Sequence, residues 1–282
     1  MILDCAGRAL DLSRPRLMGI LNVTPDSFSD GGRFTVRDAA VAHALRMVDD
    51  GADLIDIGGE STKPGAEPVP LQQELDRVIP VIEALRGATD AILSIDTMKP
   101  EVMREAVASG AGLVNDVMGL RAPGAIEAVA AGTAAVCVMH MQGEPRTMQQ
   151  APHYDDVTRE VGEFLLARAA ACEAAGIARE RILLDPGFGF GKTVAHNLTL
   201  LAALSRLCAG PYPVLAGLSR KSMLKSLTGR PVEERLAGSL TLATLALWNG
   251  ARVIRSHDVA ATRDCLRVVE ACREAADAAG EI

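Results

Sequence analysis

Two aspartates close apolar runs in this sequence: Asp96 ends AILSID (91–96) and Asp185 sits inside ILLDPG (182–187). A carboxylate placed there is costly to bury without partners, so both point to a bound group. Asn115 lies in a third such run, LVNDV (113–117). Carboxylates and amides hold acceptors and donors in a fixed plane. They suit a flat heterocycle with an amino group beside a ring N–H, such as a 2-amino-4-oxo pyrimidine. Asp185 can take the amino group and the ring N–H together. Asn115 and Asp96 can cover further ring atoms, and Lys221 can donate to a ring oxygen or nitrogen. Each hydrogen bond to a charged group contributes about 1.5–3 kcal/mol. Loss of Asp185 is therefore expected to weaken ring binding roughly ten- to a hundred-fold.

Cations gather in two later segments, SRKS (219–222) and RSH (255–257). Arg220, Lys221, Arg255 and His257 there read either as an anion site or as a solvated face. Arg255 and His257 alternate, so on a strand both reach one rim. Ser222 is placed to open a helix, whose first N–H groups favour phosphate. Lys63 adds charge from an earlier segment. Asn22 offers the hard oxygen that Mg2+ accepts beside phosphate oxygens and water. Glu60 and Asp116 need no more explanation than polar strand ends. His140, beside Met139, reads equally as a site residue or as a satisfied interior histidine. Two long loops, 24–34 and 60–69, have the length of lids or binding loops. Phe28 in the first, and Phe188 and Phe190 in GFGFG (187–191), either cover a flat substrate or anchor their loops. GFGFGKT (187–193) is not a phosphate-binding P-loop, because three residues rather than four separate Gly187 from Gly191.

These residues need a frame that brings distant segments together. Eight short apolar runs supply it: 17–23, 54–59, 91–96, 113–117, 134–140, 182–187, 213–218 and 252–257. They are too short for helices, and they read as parallel strands buried on both faces. Segments with helical spacing separate them, notably 154–175, 194–206, 231–249 and 259–279. Thr35 and Asp38 read as a capping box, and Pro100 as a first-turn residue of a helix stopped by Gly110. Eight such units predict an α/β fold, a TIM (β/α)8 barrel closed as a single domain over 1–282. Residues 1–16 are expected to form a short hairpin under the barrel. In a barrel the chemistry sits at the C-terminal strand ends, where the residues above fall.

The chain has 282 residues and a net charge of −7, which argues against a general nucleic-acid or membrane-surface binder. It has neither a signal-like start nor an 18-residue apolar stretch, and a cytoplasmic enzyme is expected. The six cysteines form no C-x-x-C pair and read as buried free thiols.

Taken together, MGILNVTPDSFSDGG (18–32), GADLIDIGGESTKPGA (51–66), SIDT (94–97), NDV (115–117), LDPGFGFGK (184–192), GLSRKSM (217–223) and RSH (255–257) resemble, in order, the blocks of the dihydropteroate synthase family of pterin-binding enzymes. The resemblance implies a homodimeric barrel with Mg2+ that joins 6-hydroxymethyl-7,8-dihydropterin pyrophosphate to p-aminobenzoate in folate synthesis. It implies that Asp96, Asn115, Asp185 and Lys221 hold the pterin, with Met139 and Phe190 beside it. Asn22, Lys63, Arg255 and His257 would hold the pyrophosphate, and Asn22 its metal. Thr62, Pro64, Phe28, Phe190, Gly189 and Ser222 would shape the p-aminobenzoate site. Asp96, Lys221, Arg255 and His257 would carry catalysis. The family usually has arginine at Lys63; lysine keeps the charge without the planar fork. The ordinary length around Thr62–Gly65 implies sulfonamide sensitivity. Alternatives are a methyl-carrying pterin module, which should lack these cations, a non-catalytic paralogue, and a Schiff-base enzyme using Lys221.

Overall fold

The computed structural model describes residues 1–24, 33–62 and 65–279. The chain opens with an antiparallel hairpin, β1 (Ile2–Cys5) and β2 (Arg8–Asp11), turned at Ala6-Gly7. Eight parallel strands follow: β3 (Arg16–Asn22), β4 (Leu54–Gly58), β5 (Ile92–Asp96), β6 (Leu113–Asp116), β7 (Ala135–Met139), β8 (Ile182–Asp185), β9 (Leu215–Ala216) and β10 (Val253–Ser256). Each coincides with one of the expected runs. Neighbours pair in the order β8-β7-β6-β5-β4-β3-β10-β9. The last seam, between β9 and β8, is a single bridge from Val214 to Leu184, with Leu184 N–H donating to the Pro213 carbonyl at 3.0 Å. That bridge closes the expected (β/α)8 barrel. Pro213 has no N–H to offer, and β9 is only two residues long.

The helices match their spacing with three adjustments. α1 (Arg33–Asp49) begins before Thr35, so the expected capping box is not its start. α2 (Leu71–Leu85), α3 (Pro100–Ser109) and α4 (Ala125–Ala130) follow their strands, and α3 has Pro100 in its first turn and stops at Gly110. α5 (Val157–Ala174) is capped by Asp156, whose carboxylate accepts from Thr158 and Arg159 N–H at 3.0 Å. The expected helix 194–206 breaks at Ala203 into α6 (Val194–Ala202) and α7 (Leu204–Cys208). After α8 (Ser222–Thr228), a short 3-10 turn at 232–234 replaces the start of the expected helix 231–249, leaving α9 (Leu236–Trp248). α10 (Val259–Ala279) has the expected bounds.

Strand alternation sorts the side chains. Leu17, Ile55, Leu93, Val114, Val136, Leu184 and Ile254 point outward into the core shared with the helices. Met18, Leu54, Ile92, Leu113, Ala135, Leu183, Leu215 and Val253 point inward, where Leu3, Cys5, Leu10 and Leu12 cork the barrel from below. Burying each leucine is worth about 1.5–3 kcal/mol. The hairpin is thus bound by the interior of the barrel, in keeping with the expectation for residues 1–16. Among the thiols, Cys5, Cys137 and Cys172 are buried, Cys208 and Cys265 half-buried, and Cys272 exposed. Cys272 departs from the expectation because α10 presents that face to solvent. Among the described residues, no helix is long and apolar enough to cross a membrane.

Candidate active site

Two residues above the corked layer, the same inward positions turn polar. They are Asp56 and Ser94, then Asn22, Asp96, Asn115, Asp185 and Arg255, with Met139 among them. The register sets several side by side: Asn22 pairs with Gly58, Gly58 with Asp96, Asp96 with Asn115, and Met139 with Asp185. A side chain on Gly58 would meet Asp96 Cβ at 3.6 Å and Asn22 Oδ1 at 3.9 Å, so glycine keeps the space between them open. Asp96, Asn115, Asp185, Lys221 and Arg255 line one pocket. Thr62, Met139, Phe188 and Phe190 complete its walls. Larger clefts of about 320 and 570 Å³ lie outside α5–α7 and beside the hairpin. Neither gathers shifted acids and bases as this pocket does, and that gathering is the better mark of chemistry.

The Arg255 guanidinium holds two carboxylates. Nε donates to Asp56 Oδ2 at 2.6 Å and Nη2 to Asp96 Oδ2 at 2.7 Å. One cation cannot neutralise both. Burial pushes Asp96 up, to about 7, against the pull of Arg255, and neighbouring Asp56 adds to the rise. Burial also pulls on Arg255, but Asp56 and Asp96 hold it above its usual range. Asp185 is raised by burial, opposed by the Gly187 N–H that it accepts at 2.7 Å and by Lys221. Lys221 is lowered to about 8 by burial and by Arg255, while Asp185 and Asp96 restrain the fall. Its ammonium stands 4.2 Å from the Phe190 ring centroid, a cation–π contact. Gly189 packs on the same lysine: a side chain there would meet Lys221 Cδ at 3.1 Å. The preceding Arg220 has left-handed φ of 55°, rare away from glycine, and this kink precedes Lys221.

His257 is lowered to about 4, first by burial and then by Arg255 and Arg220, so its ring is neutral. Ser219 Oγ accepts the His257 backbone N–H at 3.2 Å and lies 3.0 Å from Nδ1. When the hydroxyl donates its proton to Nδ1, the ring hydrogen sits on Nε2 and can be donated to an anion. Arg220 has no such freedom. Its Nε donates to Asp258 Oδ2 at 3.0 Å and its Nη2 contacts Oδ1. Arg220 does not line the pocket. Ser222 opens α8, as expected, but it does not line the pocket. Phe28, Lys63 and Pro64 lie outside the described residues.

Several residues take roles the spacing did not give. His140 belongs to the frame: its Nδ1 is 2.9 Å from Lys192 Nζ, and it packs edge-on against Phe164. Lys192, 3 % exposed, donates to the Gly187 carbonyl at 2.9 Å and the Phe190 carbonyl at 3.1 Å, clamping the GFGFG loop. Burial lowers it to about 7. A side chain on Gly187 would overlap the His140 carbonyl, so this glycine serves close packing. Phe188 is buried in the outer core and anchors the loop while touching the pocket; Phe190 faces Lys221. Asp116 accepts the Met118 and Leu120 N–H groups at 2.8 Å and fixes a turn. Glu60 accepts from Lys99 and from Val69 N–H, pinning the base of the second long loop. Asp56 is the residue that spacing alone missed, although a carboxylate inside LIDIGG was its signal.

The donor set suits one hydrated hard cation. Asn22 supplies an oxygen near Asp96, and no cluster of three or more His, Cys, Asp or Glu side chains forms a cage among the described residues. Mg2+ bound mainly through water and substrate phosphates has this character.

A family profile described as "Pterin binding enzyme" matches residues 18–257. The chain is 53 % identical over 271 residues to the dihydropteroate synthase of Escherichia coli (strain K12), covering 96 % of each. It is similar to a Xanthomonas albilineans dihydropteroate synthase solved with 4-aminobenzoic acid, at 59 % identity and TM-score 0.91, covering 96 % of this chain and 98 % of that one. It is also similar to a Yersinia pestis dihydropteroate synthase solved in a sulfonamide drug complex, at 52 % identity and TM-score 0.92, covering 97 % and 100 %. Strand-end chemistry, fold and likeness converge, and the chain belongs to the dihydropteroate synthases of the pterin-binding enzyme family.

Proposed function

We propose that this barrel, one domain over 1–282, condenses 6-hydroxymethyl-7,8-dihydropterin pyrophosphate with p-aminobenzoate, releasing pyrophosphate and 7,8-dihydropteroate. The observation that carries the reading is one pocket holding acceptors for a pterin's N–H edge, Asp185, Asn115 and Asp96, beside the donor Lys221. Asp185 takes the 2-amino and N3 hydrogens, and Lys221 donates to the ring's acceptor side. Met139 and Phe190 flank the ring. Arg255, His257 and Asn22 face the pyrophosphate, and the family resemblance assigns Lys63 to it as well. Thr62, Phe190 and Gly189 border the p-aminobenzoate site, to which the family resemblance also assigns Phe28, Pro64 and Ser222. The relative that binds 4-aminobenzoic acid and the one that binds a sulfonamide support that site and sulfonamide sensitivity.

The reaction breaks the C–O bond between the pterin methylene and pyrophosphate and forms a C–N bond to the aniline nitrogen, which then loses a proton. Arg255 and the His257 Nε2–H stabilise the charge that develops on the leaving group. Mg2+, held by Asn22 and phosphate oxygens, supplies further charge neutralisation when bound. Asp96, Asn115 and Asp185 hold the ring so that its nitrogens can delocalise positive charge on the methylene. No covalent enzyme intermediate is needed. Exclusion of water from the site would keep the methylene cation for the aniline nitrogen.

The enzyme acts in the cytoplasm as a homodimer. Leu245 and Trp248, three residues apart on α9, and Leu227 on α8 are exposed apolar side chains available to a second copy. An assay of pyrophosphate release and dihydropteroate formation, with Mg2+ and both substrates, tests the reaction. Equal formation of both products, lost in Asp185→Ala, is expected. Tight pterin binding without product from the intact protein would sink the synthase reading.

A further inference from the structure

Among the described residues, Asn115 Oδ1 is the one buried side-chain oxygen or nitrogen without a hydrogen-bond partner. The other end of that amide is committed: Nδ2 donates to Asp56 Oδ2 at 2.9 Å. Asp56 is fully buried on β4, one layer beneath the pocket, and does not line it. It receives three donors: Ser94 Oγ at 2.5 Å, Asn115 Nδ2, and Arg255 Nε at 2.6 Å. A carboxylate held against a guanidinium accepts and does not donate. The Asn115 amide must therefore turn its NH2 towards Asp56 and its carbonyl oxygen away, towards the pocket that Asn115 lines. An unpartnered buried acceptor is costly, and a ligand N–H would remove that cost.

We propose that Asp56, which touches no substrate, is the positioning residue that sets the polarity of the ring-binding edge. By locking the Asn115 amide it makes the pocket select a ring with an amino group over the same ring with an oxo group at that place. This rests on the pterin reading of the pocket. Asn115 Oδ1 and the Asp185 carboxylate then offer only acceptors, which an exocyclic amino group satisfies with its two hydrogens. An oxo group would bring lone pairs against both.

The test is calorimetric titration of the full-length protein with 6-hydroxymethylpterin and with its 2,4-dioxo counterpart. The wild type is expected to prefer the amino ring by about a hundred-fold, corresponding to two hydrogen bonds. Asp56→Ala frees the Asn115 amide to rotate and should cut that preference by about ten-fold or more. Asp56→Asn should keep it, because its amide oxygen can accept from Asn115 and Arg255 while its NH2 faces the Ser94 hydroxyl. If Asp56→Ala does not fold, Asp56→Ser leaves a polar group in the barrel and gives the same readout. Equal weakening of both rings in Asp56→Ala, or loss of selection in Asp56→Asn, would overturn the proposal while leaving the pterin reading intact. A wild type that binds both rings alike would likewise overturn the proposal, and one that binds neither would overturn the pterin reading itself.

Discussion

Leu113 and Asn115 lie two residues apart on β6 and face the same interior, yet one meets the hairpin and the other meets the pocket. The contrast repeats on four other strands, Leu54 with Asp56, Ile92 with Ser94, Leu183 with Asp185 and Val253 with Arg255, whereas Ile20 on β3 and Cys137 on β7 stay apolar. The lower layer is apolar and corked, and it stabilises the fold. The upper layer crowds Asp56, Asp96, Asp185, Lys221 and Arg255 into burial, which works against stability. One set of strands thus divides folding from chemistry within a rise of about 7 Å.

The sharpest way to break this division is to remove a charge from the upper layer. Lys221→Met should lower kcat/KM by roughly a hundred-fold or more while raising the thermal midpoint, since a buried ammonium disappears. Steady-state kinetics and calorimetry on the same preparation would show it, and a fall in both quantities would count against the division. The converse change lies below. Leu113→Ala should cost about 2–5 kcal/mol of stability through the cavity it leaves, with KM unchanged for the folded fraction. Urea unfolding measures the first and kinetics the second.

A smaller effect distinguishes the layers by pH. Asp96 titrates near 7 folded, against 3.8 as an ordinary aspartate, so the folded state binds its proton more tightly. Its contribution to stability is full below about 4 and is lost as pH rises through about 7. Asp96→Asn should flatten the pH dependence of stability across that window, as read by urea unfolding at several pH values. If the slope persists, the burial of Asp96 is not its source. Lys221 gives the smallest effect. With its titration at about 8, activity should decline above that pH as the ammonium donor is lost. An activity profile level to about pH 9.5 would exclude that donor role.

The barrel was legible because its strands are short apolar runs at regular intervals, and their inward alternation carries Asp96, Asn115, Asp185 and Arg255 to one mouth. Residue type was enough to identify those four. It was not enough for Arg220, because the approach of Asp258 across the loops after β9 and β10 is a tertiary fact. Nor could spacing separate His140 from the pocket. Its neighbour is Lys192, 52 positions away, and only the folded chain shows that pair clamping a loop. Asp56 was hidden for a different reason: it faces inward like the others but lies one layer too deep to touch a ligand. The break at Ala203 and the 3-10 turn at 232–234 lie within spacing that suits a continuous helix.

The seam between β8 and β9 gives the barrel a mechanical character. A hoop joined elsewhere by ladders of two to five residue pairs is fastened there by one bridge, Leu184 to Val214. Asp185 lies on one side of the join, and Lys221 follows the other. A ligand held by both, as proposed for the pterin, would be a clasp across the seam with the fewest backbone pairs. Ligand binding is then expected to strengthen the closure of the barrel as well as to fill the pocket.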